Sequence, residues 1–423
     1  MMKTEYKQTK LGLIPEDWEL VKSGVVIEYV GGGAFKSKDS TNKGIRWLKI
    51  ANVGIGEIRW ADQSFLPDSF KEDYSSFLLE EGDIVMALTR PIINGRLKIA
   101  KLSLDDTPAL LNQRLAKICV KGTTSEIFIY QVMQMPYFVH LMNVNMAGTD
   151  PPNIGTGELK SFQIPLPPLP EQVRIADCLS QWDRGIALLE RLIAQKEEQK
   201  KGLMQQLLTG RQRLPGFAGE WESVKYGKAF DFLSTASFSR AKLFEGNDIQ
   251  CLHYGDIHTK FHNYIDFEEF SIHGCTAEEG AKYSLLKNGD LIMADASEDL
   301  AGVGKSIEVK GLEGKAISGL HTILMRSKSN LFADGFKAYI HEIPTVRKSL
   351  QRIATGAKVY GIAKKNLKNI SIPIPPLPEQ KAIAAVLNTA DRELSLLGAK
   401  LGQYRLQKRG LMQQLLMGRK RLV

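Results

Sequence analysis

IPLPPLPEQVRIADCLSQWDRGIALLERLIAQKEEQKKGLMQQLL, from Ile164 to Leu208, returns 208 residues later as IPIPPLPEQKAIAAVLNTADRELSLLGAKLGQYRLQKRGLMQQLL, from Ile372 to Leu416. Carried on to Leu214 and Leu422, the alignment has no gap, and 29 of its 51 positions are identical. The chain is an internal duplication, and its period is far too long for a solenoid repeat. Four prolines (Pro165, Pro167, Pro168, Pro170) forbid a helix before Glu171. After them apolar residues alternate at spacings of four and three: Ile175, Leu179, Trp182, Ile186, Leu189, Ile193, then Leu203 and Leu207. The second copy repeats the series as Ile383, Leu387, Ala390, Leu394, Leu397, Leu401, Tyr404, then Leu411 and Leu415. That is the 3.5-residue seam of a coiled coil, interrupted at Lys196, Lys200 and Lys408. Some 38 residues at about 1.5 Å each make a helix on the order of 55 Å long. Gly210 and Gly418 suit its end. A strict seam wants a matching seam, so the two helices are expected to pair.

The segments before each helix resemble each other more faintly. Both approach a tryptophan after a turn (Ile14 to Trp18; Phe217 to Trp221), and both carry LLxxGDxxMA, from Leu78 and from Leu285. Short strand-like runs follow (Leu115 to Val120; His321 to Met325). One helix-like run comes next in each half, at about 126–146 and 333–354, ending at Gly148 and Gly356. Strands mixed with a late helix, without strand-helix alternation, predict a mixed α/β (α+β) domain. The expected limits are 1–163 and 214–371 for the two domains, with 164–213 and 372–423 as strap and helix.

Composition narrows the class. The chain has 423 residues, 43% hydrophobic and 24% charged, which suits two to four soluble domains. No apolar run spans a bilayer, and MMKTEYKQTK has no secretory h-region. Four scattered cysteines make no disulfide framework. The expectation is a reduced, cytoplasmic protein. Net charge is +9, yet residues 1–163 hold 19 cations and 19 anions, and 215–371 hold 20 and 19. Local runs carry more information. Ile84 to Leu104 has Arg90, Arg96, Lys98 and Lys101 and no acid, and Ile343 to Pro378 has seven cations and no acid. Such runs are either solvated faces or phosphate-facing surface.

Catalytic motifs fail in turn. Asp150-Pro151-Pro152-Asn153 is one letter from the D-P-P-aromatic signature of adenine-N6 methyltransferases, but Asn153 cannot stack on a flipped adenine. Gly31 and Gly33 lack the strand-turn-helix setting of a cofactor cradle. Gly304-Lys305-Ser306 ends like a phosphate loop, with Asp299 where its first glycine belongs. Cys251, His253, His258, His262, His273 and Cys275 match no zinc spacing and read as base-reading or core groups. No catalytic residue and no metal site is expected.

The duplicated IPLPPLPEQ strap, the helix ending GLMQQLL and the tryptophan turns resemble the specificity subunit of type I restriction-modification enzymes. HYGDIHT from His253 and SGLHTILMR from Ser318 resemble sequences of one class of its recognition domains. The resemblance implies two target recognition domains, each reading half of a bipartite double-stranded DNA site, joined by two long helices in an antiparallel coiled coil with an internal pseudo-twofold repeat. It implies docking onto two methyltransferase subunits and, through them, restriction subunits. S-adenosylmethionine, ATP and magnesium would belong to those partners, and this chain would bind no cofactor. Two readings stay beside it: an active adenine-N6 methyltransferase with its own recognition domain, and a coiled-coil assembly protein indifferent to DNA.

Candidate DNA contacts are Lys36, Lys38, Arg90, Arg96 and Lys98 in the first half. The second half offers Arg240, Lys242, His253, Tyr254, His258, Lys260, Lys305, His321, Lys358, Tyr360, Lys364 and Lys365. Helix pairing and subunit docking are assigned to Glu171, Gln172, Glu379 and Gln380 with the apolar seam.

Overall fold

A computed structural model describes residues 5–61, 63–148, 150–246, 248–328 and 331–422. It divides into two compact units, Met1–Glu190 with Lys400–Val423, and Arg191–Ala399.

In the first unit Ile99–Lys101, Ile84–Ala87, Leu115–Val120 and Ile27–Gly31 form an antiparallel sheet in that order. A smaller mixed sheet pairs Ile45–Leu48 in parallel with Ala109–Leu111. In the second unit Phe230–Leu233, Thr322–Ser327, Leu291–Ala294 and Ser306–Lys310 repeat the antiparallel sheet, Tyr264–Asp266 adds a fifth strand parallel to Ser306–Lys310, and Ile249–Leu252 runs parallel to Ala316–Ser318. Each is the expected mixed α/β domain.

The shared LLxxGDxxMA is a structural device. Gly82 and Gly289 turn the chain at φ +92° and +84°, which glycine adopts without strain. Asp83 then accepts from the Glu80 amide and pairs with Lys117 at 2.7 Å. Asp290 accepts from the Lys287 amide and pairs with Arg326 at 2.6 Å. A turn and a strand are pinned together by one carboxylate in each half.

Half of each proline strap is a strand. Gln163–Leu166 pairs with Glu19–Lys22, and Ser371–Ile374 with Glu222–Lys225. The long helices run Leu169–Leu207 and Leu377–Leu415. They start two residues before Glu171 and Glu379, because a proline in the first turn lacks only an amide that would be unbonded anyway. Gly210 and Gly418 follow their ends at φ +67° and +65°. The single late helix of each half is in fact broken. Glu126–Met133 stops before Pro136–Asn145, and the 3-10 turn Lys337–Glu342 stops before Pro344–Ile353. Proline at 136 and 344 cannot continue a preceding helix but starts a new one well.

The helices pair within each unit. In the first, Trp182 meets Tyr404 edge-on at 5.7 Å, Asp183 pairs with Lys408 at 2.5 Å and Glu190 with Arg405 at 2.6 Å. In the second, Lys196 pairs with Glu393 at 2.7 Å and Lys200 with Asp391. Numbers rise on one helix as they fall on the other, so the pairing is antiparallel. Every named seam residue is buried or half-buried. The seam does not run the whole length of the helices, however, because the helix ends sink into the domain cores. Ile175, Leu179 and Leu415 join the first core, and Leu207, Ile383 and Leu387 the second.

The lysines that interrupt the apolar series are explained by the same pairing. Asp183–Lys408 and Lys200–Asp391 are one ion pair met twice, related by the 208-residue shift. Each aspartate also holds its neighbouring domain. Gln131 donates to Asp183 at 2.7 Å, while Asn263 and Tyr339 donate to Asp391 at 2.8 and 2.6 Å.

Candidate nucleic-acid interface

The Glu-Gln of LPEQ is turned inward. Glu171 and Glu379 are 2% and 1% exposed, and Gln172 and Gln380 are equally buried. Glu171 accepts from the Trp18 indole at 3.0 Å and takes Arg421 on both oxygens, at 2.7 and 2.8 Å. Glu379 accepts from Trp221 at 3.1 Å and takes Arg213 at 2.5 and 2.6 Å. One buried carboxylate at the start of each helix thus clasps the tryptophan turn and the arginine following the other helix. Gln172 accepts from the Ser125 amide and donates to Pro167, and Gln380 binds the Ala333 amide and Pro375 in the same way. These four residues serve pairing within the chain, and the docking role expected for them has no exposed side chain to rest on.

A second shared feature is the tip of each domain. In the first half the Leu88 amide donates to the Arg114 carbonyl, the Ile154 amide to Leu88, and Ala147 and Asn153 exchange amide bonds. In the second half the Asp295 amide donates to His321, Ile362 to Asp295, and Thr355 and Gly361 exchange theirs. Three segments cross in the same way while their side chains differ. Asn153 accepts from the Thr89 hydroxyl and donates to the Pro151 carbonyl at 2.9 Å, so the near-methyltransferase tetrapeptide is a loop lock.

The first half's candidates separate into two groups. Lys36 and Lys38 are exposed on a 3-10 turn, Ser37–Asp39, and Arg90 is exposed beside Asp150 at 2.5 Å. Arg96 is exposed, and partial desolvation together with the Arg405 charge on the helices holds its pKa below the usual value. Lys98 is buried, donating to the Ile50 carbonyl at 2.5 Å, and burial lowers its pKa. An ammonium spent inside the domain is no phosphate contact, so Lys98 leaves the candidate set.

The second half's candidates gather around the tip. Tyr254 packs against His253, His258 and His321 at 4.6, 6.2 and 5.3 Å between ring centroids. His253 is buried, its Nδ1 accepting from the Gly255 amide at 3.2 Å to cap a short helix, and burial lowers its pKa. It is a structural cap rather than a base reader. His258 Nε2 lies 2.8 Å from the Ala296 carbonyl, and Lys305 donates to the His258 carbonyl at 3.1 Å. Arg240 and Lys260 share Asp256 at 2.7 and 3.0 Å. Lys242, Lys358, Lys364 and Lys365 are exposed, and Tyr360 pairs with Ser297 across a short ribbon. Among the described residues no three His, Cys, Asp or Glu side chains converge in metal-holding geometry. Arg114 and Gln113 escaped sequence reading, because they become neighbours of Thr89 and Asn153 only when the three segments cross.

The family described as type I restriction modification DNA specificity domain matches residues 15–198 and again 219–402. The chain belongs to that family. It carries two specificity domains, each match including the first turns of a long helix. The type I restriction enzyme MjaVIII specificity subunit of Methanocaldococcus jannaschii is 39% identical over 210 residues, 49% of this chain and 49% of that protein. This chain therefore spans about half the length of that relative. The putative MjaX specificity subunit of the same organism is 25% identical over 445 residues, covering 99% and 97%. The fold is similar to that of an S subunit of a type I restriction-modification system from M. genitalium, at TM-score 0.58 and 14% identity over 98% of this chain and 99% of that one.

Neither specificity domain builds a cofactor cradle from the near-motifs. The strand Ile27–Gly31 is followed by no helix at the glycines, and Ser306 opens a strand rather than a phosphate-binding helix. No helix among the described residues is long and apolar enough to cross a membrane.

Proposed function

We propose that this chain is the DNA-reading, non-catalytic specificity subunit of a type I restriction-modification enzyme, acting in the cytoplasm. The observation that carries the reading is the pair of specificity domains with one backbone frame and different side chains at its tip. A shared frame with different tips suits two half-sites of one bipartite DNA site. In this reading the partners are double-stranded DNA, two methyltransferase subunits and, through them, restriction subunits. S-adenosylmethionine, ATP and magnesium belong to those partners.

The exposed faces of the helices support two equivalent docking surfaces. Arg184, Leu188, Gln195, Gln199 and Gln206 recur as Arg392, Leu396, Gln403, Gln407 and Gln414, and all ten are exposed. Spacings of four and seven put each set on one helix face, away from the seam. Solvated positions have no packing reason to match, and Leu188 and Leu396 are 64% and 63% exposed. Native mass spectrometry of the co-expressed complex should show two methyltransferase subunits per chain. Leu188→Glu with Leu396→Glu should lose both while the free chain keeps its melting temperature. A saturated complex with one methyltransferase subunit, or undiminished assembly of the double variant, would refute this arrangement.

A further inference from the structure

We infer that Arg114 and His321 are the corresponding base-reading residues of the two specificity domains, and that Arg114 addresses a guanine. This rests on the DNA-reading function proposed above and says which side chains carry it. The carbonyls of both residues accept the amide of the segment that leaves the LLxxGDxxMA strand, from Leu88 at 2.9 Å and Asp295 at 3.0 Å. The same two segments are crossed by Asn153–Ile154 and Gly361–Ile362. Backbone equivalence is therefore set by hydrogen bonds, and it holds where the side chains have diverged.

Two copies of one frame meeting duplex DNA present corresponding positions to corresponding parts of it. Sequence choice then belongs to exposed side chains that differ at positions sharing the same backbone hydrogen bond. Arg114 and His321 meet this condition, both being exposed. Arg90, another exposed cation beside this crossing, is engaged by Asp150. Arg114 has no ion pair among the described residues, and it borders a recess of about 460 Å³ with Gln113, Thr89, Pro151 and Asn153. An unengaged guanidinium matches the O6 and N7 acceptors of guanine in the major groove. His321 sits at φ +55°, a strained conformation for a residue with a side chain, and Asp295 lies 3.3 Å from its Nδ1. That contact and the T-shaped packing against Tyr254 hold the ring in place while the residue stays exposed.

The test maps methylated adenines in a host carrying the full chain with its methyltransferase, as wild type, Arg114→Ala, Arg114→Lys and His321→Ala. It also measures binding of each purified complex to cognate and scrambled duplexes. Arg114→Ala should relax a guanine in one half-site only and weaken cognate binding about 5- to 150-fold, with scrambled binding nearly unchanged. Arg114→Lys keeps the charge without the fork and should relax the same position, which separates base reading from charge and from misfolding. His321→Ala should relax the other half-site. Wild-type motifs from all three variants, or equal losses on cognate and scrambled DNA, would overturn the assignment while leaving a DNA-reading subunit in place. A wild-type complex without any sequence preference would overturn the functional reading as well.

Discussion

Glu171 and Glu379 each hold an indole and a guanidinium in a dry setting, Glu171 with Arg421 and Glu379 with Arg213. Removing one partner of such a pair leaves the other buried without compensation, at a cost of about 3 kcal/mol. Arg421→Ala should therefore lower stability by about that amount in a denaturant titration, because it leaves Glu171 buried without a cation, and Glu171→Ala by less, since Asp17 still pairs with Arg421 at the surface. Equal stability of both variants and wild type would remove the clasp from this account. The surface cations behave differently. Lys358→Ala and Lys364→Ala should each reduce the magnitude of the log K against log salt slope by about 0.9 if the side chain meets a phosphate. Lys98→Ala should leave the slope alone and destabilise the fold, since its ammonium is bound to Ile50 indoors. An unchanged slope in the first two variants would make those lysines solvated surface.

At the scale of the element, charge sets where the helices meet. A uniformly apolar seam tolerates sliding by a heptad, whereas a charged residue in the seam specifies register at a cost in stability. Asp183 with Lys408 and Asp391 with Lys200 are the specifying groups, each aspartate also tied to a domain by neutral donors. Asp183→Lys should cost about 1 kcal/mol or more, and Lys408→Asp likewise, while the two together should recover most of the loss. Asp183→Lys with Lys200→Asp should not recover, because it faces like charges at both pairs. A thermal-melt cycle without coupling in the first combination would show that the register is set by apolar contacts alone. The proline breaks at Pro136 and Pro344 belong to this scale too. They turn one expected helix per domain into two short elements, and the apolar pattern runs across the break because both pieces pack on the same core.

For the whole molecule, the duplication, the pairing of the two long helices and the mixed α/β class were legible in the linear sequence, while the antiparallel sense came with the family resemblance. Each rests on a local period or a repeat, 3.5 residues for the seam and 208 for the copies. Family membership was legible for the same reason, in the strap, the helix end and the tryptophan turns. Burial was not. The LPEQ glutamates and glutamines look like surface polar residues until a tryptophan and an arginine from distant segments close over them. Lys98 and His253 look like ligand-facing groups until Ile50 and Gly255 take their polar atoms. Arg114 stands out only when Leu88, Asn153 and their neighbours cross beside it. Periodicity is a property of consecutive residues, so the sequence by itself determined the elements and their repetition. Whether a polar group faces solvent depends on which remote segments fold over it, and only the tertiary structure decided which side chains remain exposed.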